Sequence, residues 1–165
     1  MTEDKYNTVV HESKGIYVDS SEQIVIECVI IGKGSKPKTT LTWYNKRYLA
    51  LGINWMAKGV TIELEDLRDA VELALKIKKD LGEGKYDDIS KNVEIIGKRS
   101  SASIAIPVIR GWFTKRKYPN WVGVSAGNAL VANGRIDGVI DKINERITQA
   151  ETVEQIARER MDKIG

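Results

Sequence analysis

The sequence predicts an α+β fold made of two related strand-rich units, each with about three to four antiparallel strands followed by a helix. One stretch occurs twice: residues 30–55 and residues 95–121 both open with Ile-Ile-Gly-Lys-x-Ser and close with Asn-Trp. Around each copy, apolar and polar residues alternate as they do in strands. After each copy, apolar residues recur at three- and four-residue steps, as they do in helices. A repeat of this length indicates a pseudo-symmetric pair of units.

The first unit contains four predicted strands and one helix. The strands are predicted at residues 15–18, 23–32, 38–51 and 55–64. In the second of them, Ile24, Ile26, Cys28 and Ile30 share one face, since side chains alternate across a strand. The helix is predicted at residues 65–81, with acidic residues early and lysines late, which suits the helix dipole.

The second unit repeats this order and is followed by one more helix. Strands are predicted at residues 93–98, 103–114 and 121–125, and the second helix at residues 135–149. Thr152 and Gln155 have the spacing of a capping box, which predicts that a third helix begins there. The chain is therefore divided into a flexible N-terminus (1–14), one domain of two pseudo-repeats (15–84 and 88–150) and a C-terminal helix (151–165).

Length and composition place the chain among globular proteins. Its 165 residues suit a single domain, and 42% are hydrophobic and 30% charged. The first 14 residues lack the apolar run of a signal peptide, and the longest apolar run is too short to span a membrane. The single cysteine, Cys28, excludes an internal disulfide and fits a reducing compartment. We therefore expect an intracellular protein, cytoplasmic or nucleoid-associated, with no membrane partner.

The charges are distributed unevenly. Residues 28–62 contain six basic and no acidic residues, and residues 95–136 contain seven basic and no acidic residues. Eight of the eleven aromatic residues lie in these two windows, including all four tryptophans. Strands are generally poor in acids and rich in aromatics, but that tendency does not explain the lysines and arginines. The pattern predicts a basic, aromatic sheet surface of the kind that binds nucleic acid.

The sequence does not predict an enzyme, a metal site or a cofactor. His11 is the only histidine, so a cluster of His and Cys ligands cannot form. The Gly-Lys-Gly-Ser sequence at 32–35 departs from a phosphate-binding loop, because Gly34 stands where Ser or Thr should follow Lys33. A hairpin turn is the better interpretation of this segment.

The residues predicted to contact nucleic acid are basic and aromatic side chains of the two repeats. They are Lys36, Lys38, Trp43, Lys46, Arg47, Tyr48, Trp55, Lys58, Lys98, Arg99, Arg110, Trp112, Lys115, Arg116, Lys117 and Tyr118. Successive residues of a strand face opposite sides, so at most one of Trp43 and Tyr44 can face a ligand. We expect at least two of the rings of Trp43, Tyr48, Trp112 and Tyr118 to be accessible on one sheet face.

A resemblance to a known family rests on short motifs. Residues 58–62 read Lys-Gly-Val-Thr-Ile and run into an acidic amphipathic helix, which resembles the positive-cofactor (transcriptional coactivator) DNA-binding domain. Two such units in one chain resemble the Whirly family. The second copy reads Val-Gly-Val-Ser at 122–125 and lacks the lysine. The resemblance covers residues 23–149 in pattern.

The resemblance implies sequence-tolerant binding of single-stranded DNA on the sheet face, in genome maintenance or transcription. It also implies a homo-oligomer assembled through the helices. RNA is not excluded as the ligand. Two alternatives stay open: a duplex DNA or RNA binder that uses the same basic loops, and a structural or assembly protein whose aromatic face contacts a protein partner.

Overall fold

The first sheet is a meander of four consecutive antiparallel strands. The computed structural model describes residues 8–18, 21–53, 57–83, 90–95, 104–109, 121–126 and 129–164. The strands are β1 (Val9–Tyr17), β2 (Glu22–Ile31), β3 (Lys38–Asn45) and β4 (Lys58–Glu63). Each pairs with the next, in the order β1-β2-β3-β4. The predicted second strand is confirmed, whereas β1 begins six residues earlier than predicted.

Side-chain alternation divides this sheet into a core face and an outer face. The predicted apolar set of β2, from Ile24 to Ile30, is buried, whereas Val25, Glu27 and Val29 are partly exposed. The core face continues onto β3 and β4. Its largest members there are Leu41, Trp43, Val60 and Ile62. The apolar alternation seen in the sequence is therefore the pattern of burial in the fold.

The third strand is shorter than the sequence predicts. It ends at Asn45, and residues 46–50 form a short helix, α1 (Lys46–Ala50), instead of continuing the strand to residue 51. The Asn45 side chain accepts a hydrogen bond of 3.0 Å from the backbone N–H of Arg47. Asparagine is a strong N-cap because its side chain satisfies a donor that the first helical turn leaves free. The prediction of a strand at 46–51 was wrong for this reason.

The second half of the chain contains another four-stranded antiparallel sheet and two long helices. These elements are α2 (Leu64–Gly82), β5 (Ser90–Ile95), β6 (Ile104–Ile109), β7 (Trp121–Ala126), β8 (Ala129–Arg135) and α3 (Ile136–Asp162). The strand order is β5-β6-β7-β8. The sequence did not reveal β8, since four of its seven residues ALVANGR, two Ala, one Asn and one Gly, have low strand propensity. Pairing with β7 makes it a strand.

The C-terminal helix is continuous, so the prediction of a separate third helix at Thr152 was wrong. The Thr152 hydroxyl donates a hydrogen bond of 2.9 Å to the carbonyl of Thr148 within α3, instead of capping a new helix. Between residues 139 and 162 the helix contains no glycine or proline that would interrupt it. A capping-box spacing inside a run of good helix formers therefore did not mark a boundary.

The last part of α3 covers the core face of the first sheet. Ala150, Val153, Ala157 and Met161 form its buried stripe. At the margins, the Thr39 hydroxyl donates a hydrogen bond of 2.7 Å to Glu154 Oε2. Arg160 forms an ion pair with Glu12 and donates a hydrogen bond of 3.1 Å to the carbonyl of His11. Apolar packing in the middle and polar contacts at the edge hold this helix segment on the sheet.

The chain divides into two compact units. The first unit contains Met1–Leu64 and Thr148–Gly165, and the second contains Glu65–Ile147. In the second unit, Lys78 Nζ lies 2.6 Å from Asp137 Oδ1, which joins α2 to the start of α3. Among the described residues, no helix is long and apolar enough to cross a membrane.

Met161→Ala should lower the free energy of unfolding of the first unit by about 2–5 kcal/mol, because it removes a buried side chain over the sheet. Ile156→Ala, on the same helix but 43% exposed, should change it by less than about 0.5 kcal/mol. Urea denaturation measures both. Equal losses of stability in the two variants would contradict the packing of α3 on the sheet.

Candidate nucleic-acid interface

The outer face of the first sheet carries two tyrosines in one row across the strands. The register pairs Tyr17 of β1 with Gln23 of β2, Gln23 with Tyr44 of β3, and Tyr44 with Lys58 of β4. Directly paired residues of antiparallel strands present their side chains on the same face. We call Tyr17, Gln23, Tyr44 and Lys58 the tyrosine row. Its two rings belong to strands two apart, which separates them by about 10 Å.

Local backbone features make room for this row. Gly15 lies beside Gln23, and a Cβ on Gly15 would lie 2.5 Å from Gln23 Nε2, so a larger residue there would make the end of the Gln23 side chain shift. Between Trp43 and Tyr44 the register with β4 shifts, which sets Lys58 opposite Tyr44. Irregularities of this kind change the direction of side chains at the end of a strand pair.

The short helix α1 adds basic side chains at the same end of the sheet. Its first residue, Lys46, donates its backbone N–H to the carbonyl of Ser21 at 2.7 Å, which ties α1 to the connection between β1 and β2. The Lys46 ammonium then lies 4.4 Å from the centre of the Tyr17 ring, a cation–π contact. Arg47 is exposed and Tyr48 half-buried on the same helix.

The exposure of these groups suits contact with a flat, negatively charged ligand. Tyr17 is 66% exposed, and Tyr44 is partly exposed. Lys58 and Arg47 are exposed, and Lys46 is partly so. A ring face can stack on a base, while ammonium and guanidinium groups can neutralise the phosphates beside it.

A second row on the same face carries acids. It consists of Ser13, Glu27, Thr40 and Glu63, which the register aligns across the four strands. His11 Nε2 lies 3.7 Å from Glu27 Oε2, and Lys38 Nζ lies 3.9 Å from Glu63 Oε1. We call Ser13, Glu27, Thr40 and Glu63 the acid row. The acid-free sequence windows predicted a basic face, but the outer face is not uniformly basic. Glu27 and Glu63 lie just outside those windows and belong to the same face.

The structure removes one predicted residue from the interface. The Trp43 side chain is 3% exposed and belongs to the core face, opposite Ile24 of β2. A ring in the core cannot stack on a base. Since Trp43 is in the core, its neighbour Tyr44 faces outward.

The other predicted residues fall into three groups. Lys46, Arg47, Tyr48 and Lys58 come together at one end of the first sheet. Lys36 lies in the connection at the opposite end, and Lys38 begins β3 beside Glu63. The remainder lie outside the described residues: Trp55, Lys98, Arg99, Arg110, Trp112, Lys115, Arg116, Lys117 and Tyr118.

Sequence reasoning missed Tyr17, Gln23 and Tyr44 as site residues. The sequence did contain a signal for Tyr44. Trp43 lies two residues from the apolar Leu41 and so shares its face, and successive residues of a strand face opposite sides, which turns Tyr44 outward. No local signal could have identified Tyr17, because its place depends on its pairing with Gln23 on the next strand.

Comparisons with known proteins do not identify a family. No protein-family model, curated protein or solved structure matches the chain. The likeness to the positive-cofactor and Whirly domains therefore rests on the sequence motifs quoted above, and what it implies stays a prediction. Among the described residues, no group of three or more His, Cys, Asp or Glu side chains could hold a metal ion.

The environment of Tyr44 favours the protonated form of its hydroxyl. Burial, and after it the negative charge of Glu27, raise the pKa of Tyr44 above its ordinary value. A tyrosine hydroxyl is ordinarily neutral at physiological pH, and the upward shift favours that form further, so Tyr44 can donate to a phosphate oxygen or a base carbonyl. A Tyr44 that carried a negative charge would repel such a ligand.

Tyr44 should therefore titrate above the ordinary tyrosine pKa of about 10. The difference in tyrosinate absorbance between wild type and Tyr44→Phe isolates this group. Glu27→Gln should lower the pKa only in part, since burial is the larger cause. The folded state holds the proton more tightly than the unfolded state, so this contribution to stability is lost as pH rises through the tyrosine range and is absent in Tyr44→Phe. A Tyr44 pKa below 10 would contradict the described environment.

Proposed function

We propose that this protein binds single-stranded nucleic acid, with DNA as the expected ligand, without catalysing a reaction. The observation that carries the proposal is the tyrosine row, with Lys46 over the Tyr17 ring and the basic residues Arg47 and Lys58 beside it. Sheet surfaces that combine accessible rings with cations bind unpaired bases and the phosphates between them. Recognition of this kind is largely independent of sequence, because every base offers a flat face.

The spacing of the rings supports this proposal. Tyr17 and Tyr44 lie on alternate strands, about 10 Å apart, so that bases can stack on both while the chain between them passes over β2. Stacking contributes about 1–3 kcal/mol per base. Lys46 is already placed against a ring, where it can pair with a phosphate adjacent to a stacked base.

We also propose the duplicated, Whirly-like organisation that the sequence repeat predicts. The strands that the repeat aligns, β2–β4 with β5–β7, are consecutive antiparallel neighbours in both sheets, although β8 stands between β7 and its helix. These features support two copies of one unit. Superposition of Trp55 on Trp121 and of Gly32 on Gly97 is the sequence-based test, but Trp55 and Gly97 lie outside the described residues.

Self-association and cellular setting complete the proposal. We also propose a homo-oligomer assembled through helix surfaces, on which Leu75 of α2 is 50% exposed and Ile156 of α3 is 43% exposed. Cys28 is a free, buried thiol, as is usual in a reducing compartment. We propose that the protein acts inside the cell, in genome maintenance or transcription.

Reversing the charges of α1 with Lys46→Glu and Arg47→Glu together should weaken binding of oligo-dT and flatten its salt dependence. The slope of log affinity against log salt should fall by about 0.7 for each phosphate that the variant no longer neutralises. Fluorescence titrations at several salt concentrations measure this slope.

The matched control is Lys76→Glu with Lys79→Glu, two exposed lysines of α2 that carry the same change in net charge. If both double variants lose affinity equally, the effect is one of net charge and α1 is not a contact surface. An excess of duplex DNA that competes as well as single strands would favour the duplex alternative.

Tyr17→Ala should lower affinity for oligo-dT by roughly ten- to a hundredfold with little change in stability, because the ring is exposed. Leu51→Ala removes an apolar side chain that is also 66% exposed, and should leave affinity unchanged. Trp43→Ala should instead destabilise the fold by about 3–5 kcal/mol, as a core substitution. Wild-type affinity in Tyr17→Ala would remove the stacking role.

A further inference from the structure

The outer face of the first sheet changes character along its strands. The acid row lies four residues along each of β1, β2 and β3 from the tyrosine row, a distance of about 13 Å. The row between them is uncharged and consists of Gly15, Val25, Thr42 and Thr61. In it, the hydroxyls of Thr42 and Thr61 lie 2.9 Å apart in a hydrogen bond.

The acid row places two carboxylates on this face. Glu27 is paired with His11 and Glu63 with Lys38. The row itself contributes two carboxylates and no cation to the face. The field of Glu27 extends to the tyrosine row, since it is a cause of the raised pKa of Tyr44. A phosphate placed over this part of the sheet would be repelled.

We infer that the acid row limits the length of nucleic acid that the first sheet can bind. The nucleic acid bound at the tyrosine row is confined to a short path across the four β-strands. Glu27 and Glu63 prevent the nucleic acid from continuing along the direction of the β-strands. Glu27 and Glu63 are thus specificity-determining residues for ligand length. This inference rests on the proposed single-stranded nucleic-acid binding.

The geometry sets the length of the path. Three spacings between neighbouring strands separate β1 from β4, which gives about 14 Å. Such a path suits about four nucleotides, the lower end of the range for single-strand-binding modules. The basic residues at its margins, Lys46 and Lys58, lie at the same end of the sheet as the two rings.

The test compares dT4 with dT8 by calorimetric titration at low salt, for wild type and for Glu27→Gln with Glu63→Gln. Glutamine keeps the shape of glutamate and removes its charge. Wild type should bind dT8 no more than about fivefold more tightly than dT4, the number of registers that four nucleotides have on eight. In the double variant, affinity should rise about tenfold for dT8 and less than about twofold for dT4. The slope of log affinity against log salt for dT8 should steepen by about 0.7 for each additional phosphate that the variant neutralises.

The control is Glu72→Gln with Glu151→Gln, which removes two exposed acids from helices and changes the net charge equally. This control should change the affinities for dT8 and dT4 by the same factor relative to wild type. If wild type binds both oligonucleotides but the acid-row variant gains equally for each, or the control gains as much for dT8, the length limit is overturned and the proposed function stands. If wild type shows no salt-sensitive binding to either, both fall.

Discussion

The packing of the last part of α3 on the first sheet determines which residues of that sheet a ligand can reach. Val153, Ala157 and Met161 bury the face that contains Ile26 and Trp43, and the contacts of Glu154 and Arg160 fix the helix at the margins. Because side chains alternate along a strand, covering one face leaves the other to solvent. The tyrosine row is on that other face as a direct consequence of this packing.

The same packing explains the behaviour of Cys28. The thiol is fully buried beneath the helix, and burial raises its pKa, although a hydrogen bond with Thr39 acts in the opposite direction. A neutral, covered thiol is chemically inert, and in this chain it serves as part of the core. The outer face, by contrast, carries exposed groups, among them the Tyr17 ring with its lysine partner.

The charges on the outer face divide it into regions of opposite sign. Lys46, Arg47 and Lys58 lie at one end, where β3 leads into α1, and Glu27 and Glu63 lie in the row beyond. A count of acids along the sequence suggested a uniformly basic surface, because both glutamates lie one residue beyond the ends of the acid-free window. In space Glu27 lies halfway along β2 and Glu63 at the end of the edge strand β4, both on the outer face. The folded structure therefore shows acidic and basic residues on one face, where the sequence windows had predicted a basic surface.

The sequence by itself determined the α+β class, the alternation of β2 and the apolar stripe of α2, since these follow from periods of two and 3.6 residues within one element. It could not determine the end of β3, where the Asn45 cap competes with a strand-like run, or the existence of β8, whose residues become a strand only through pairing with β7. The tyrosine row was likewise decided by tertiary structure. Tyr17, Gln23 and Tyr44 are separated along the chain, and only the register of three strands brings them into one line. Local patterns specify which face a side chain takes, whereas its neighbours across the sheet depend on pairings that no local pattern contains.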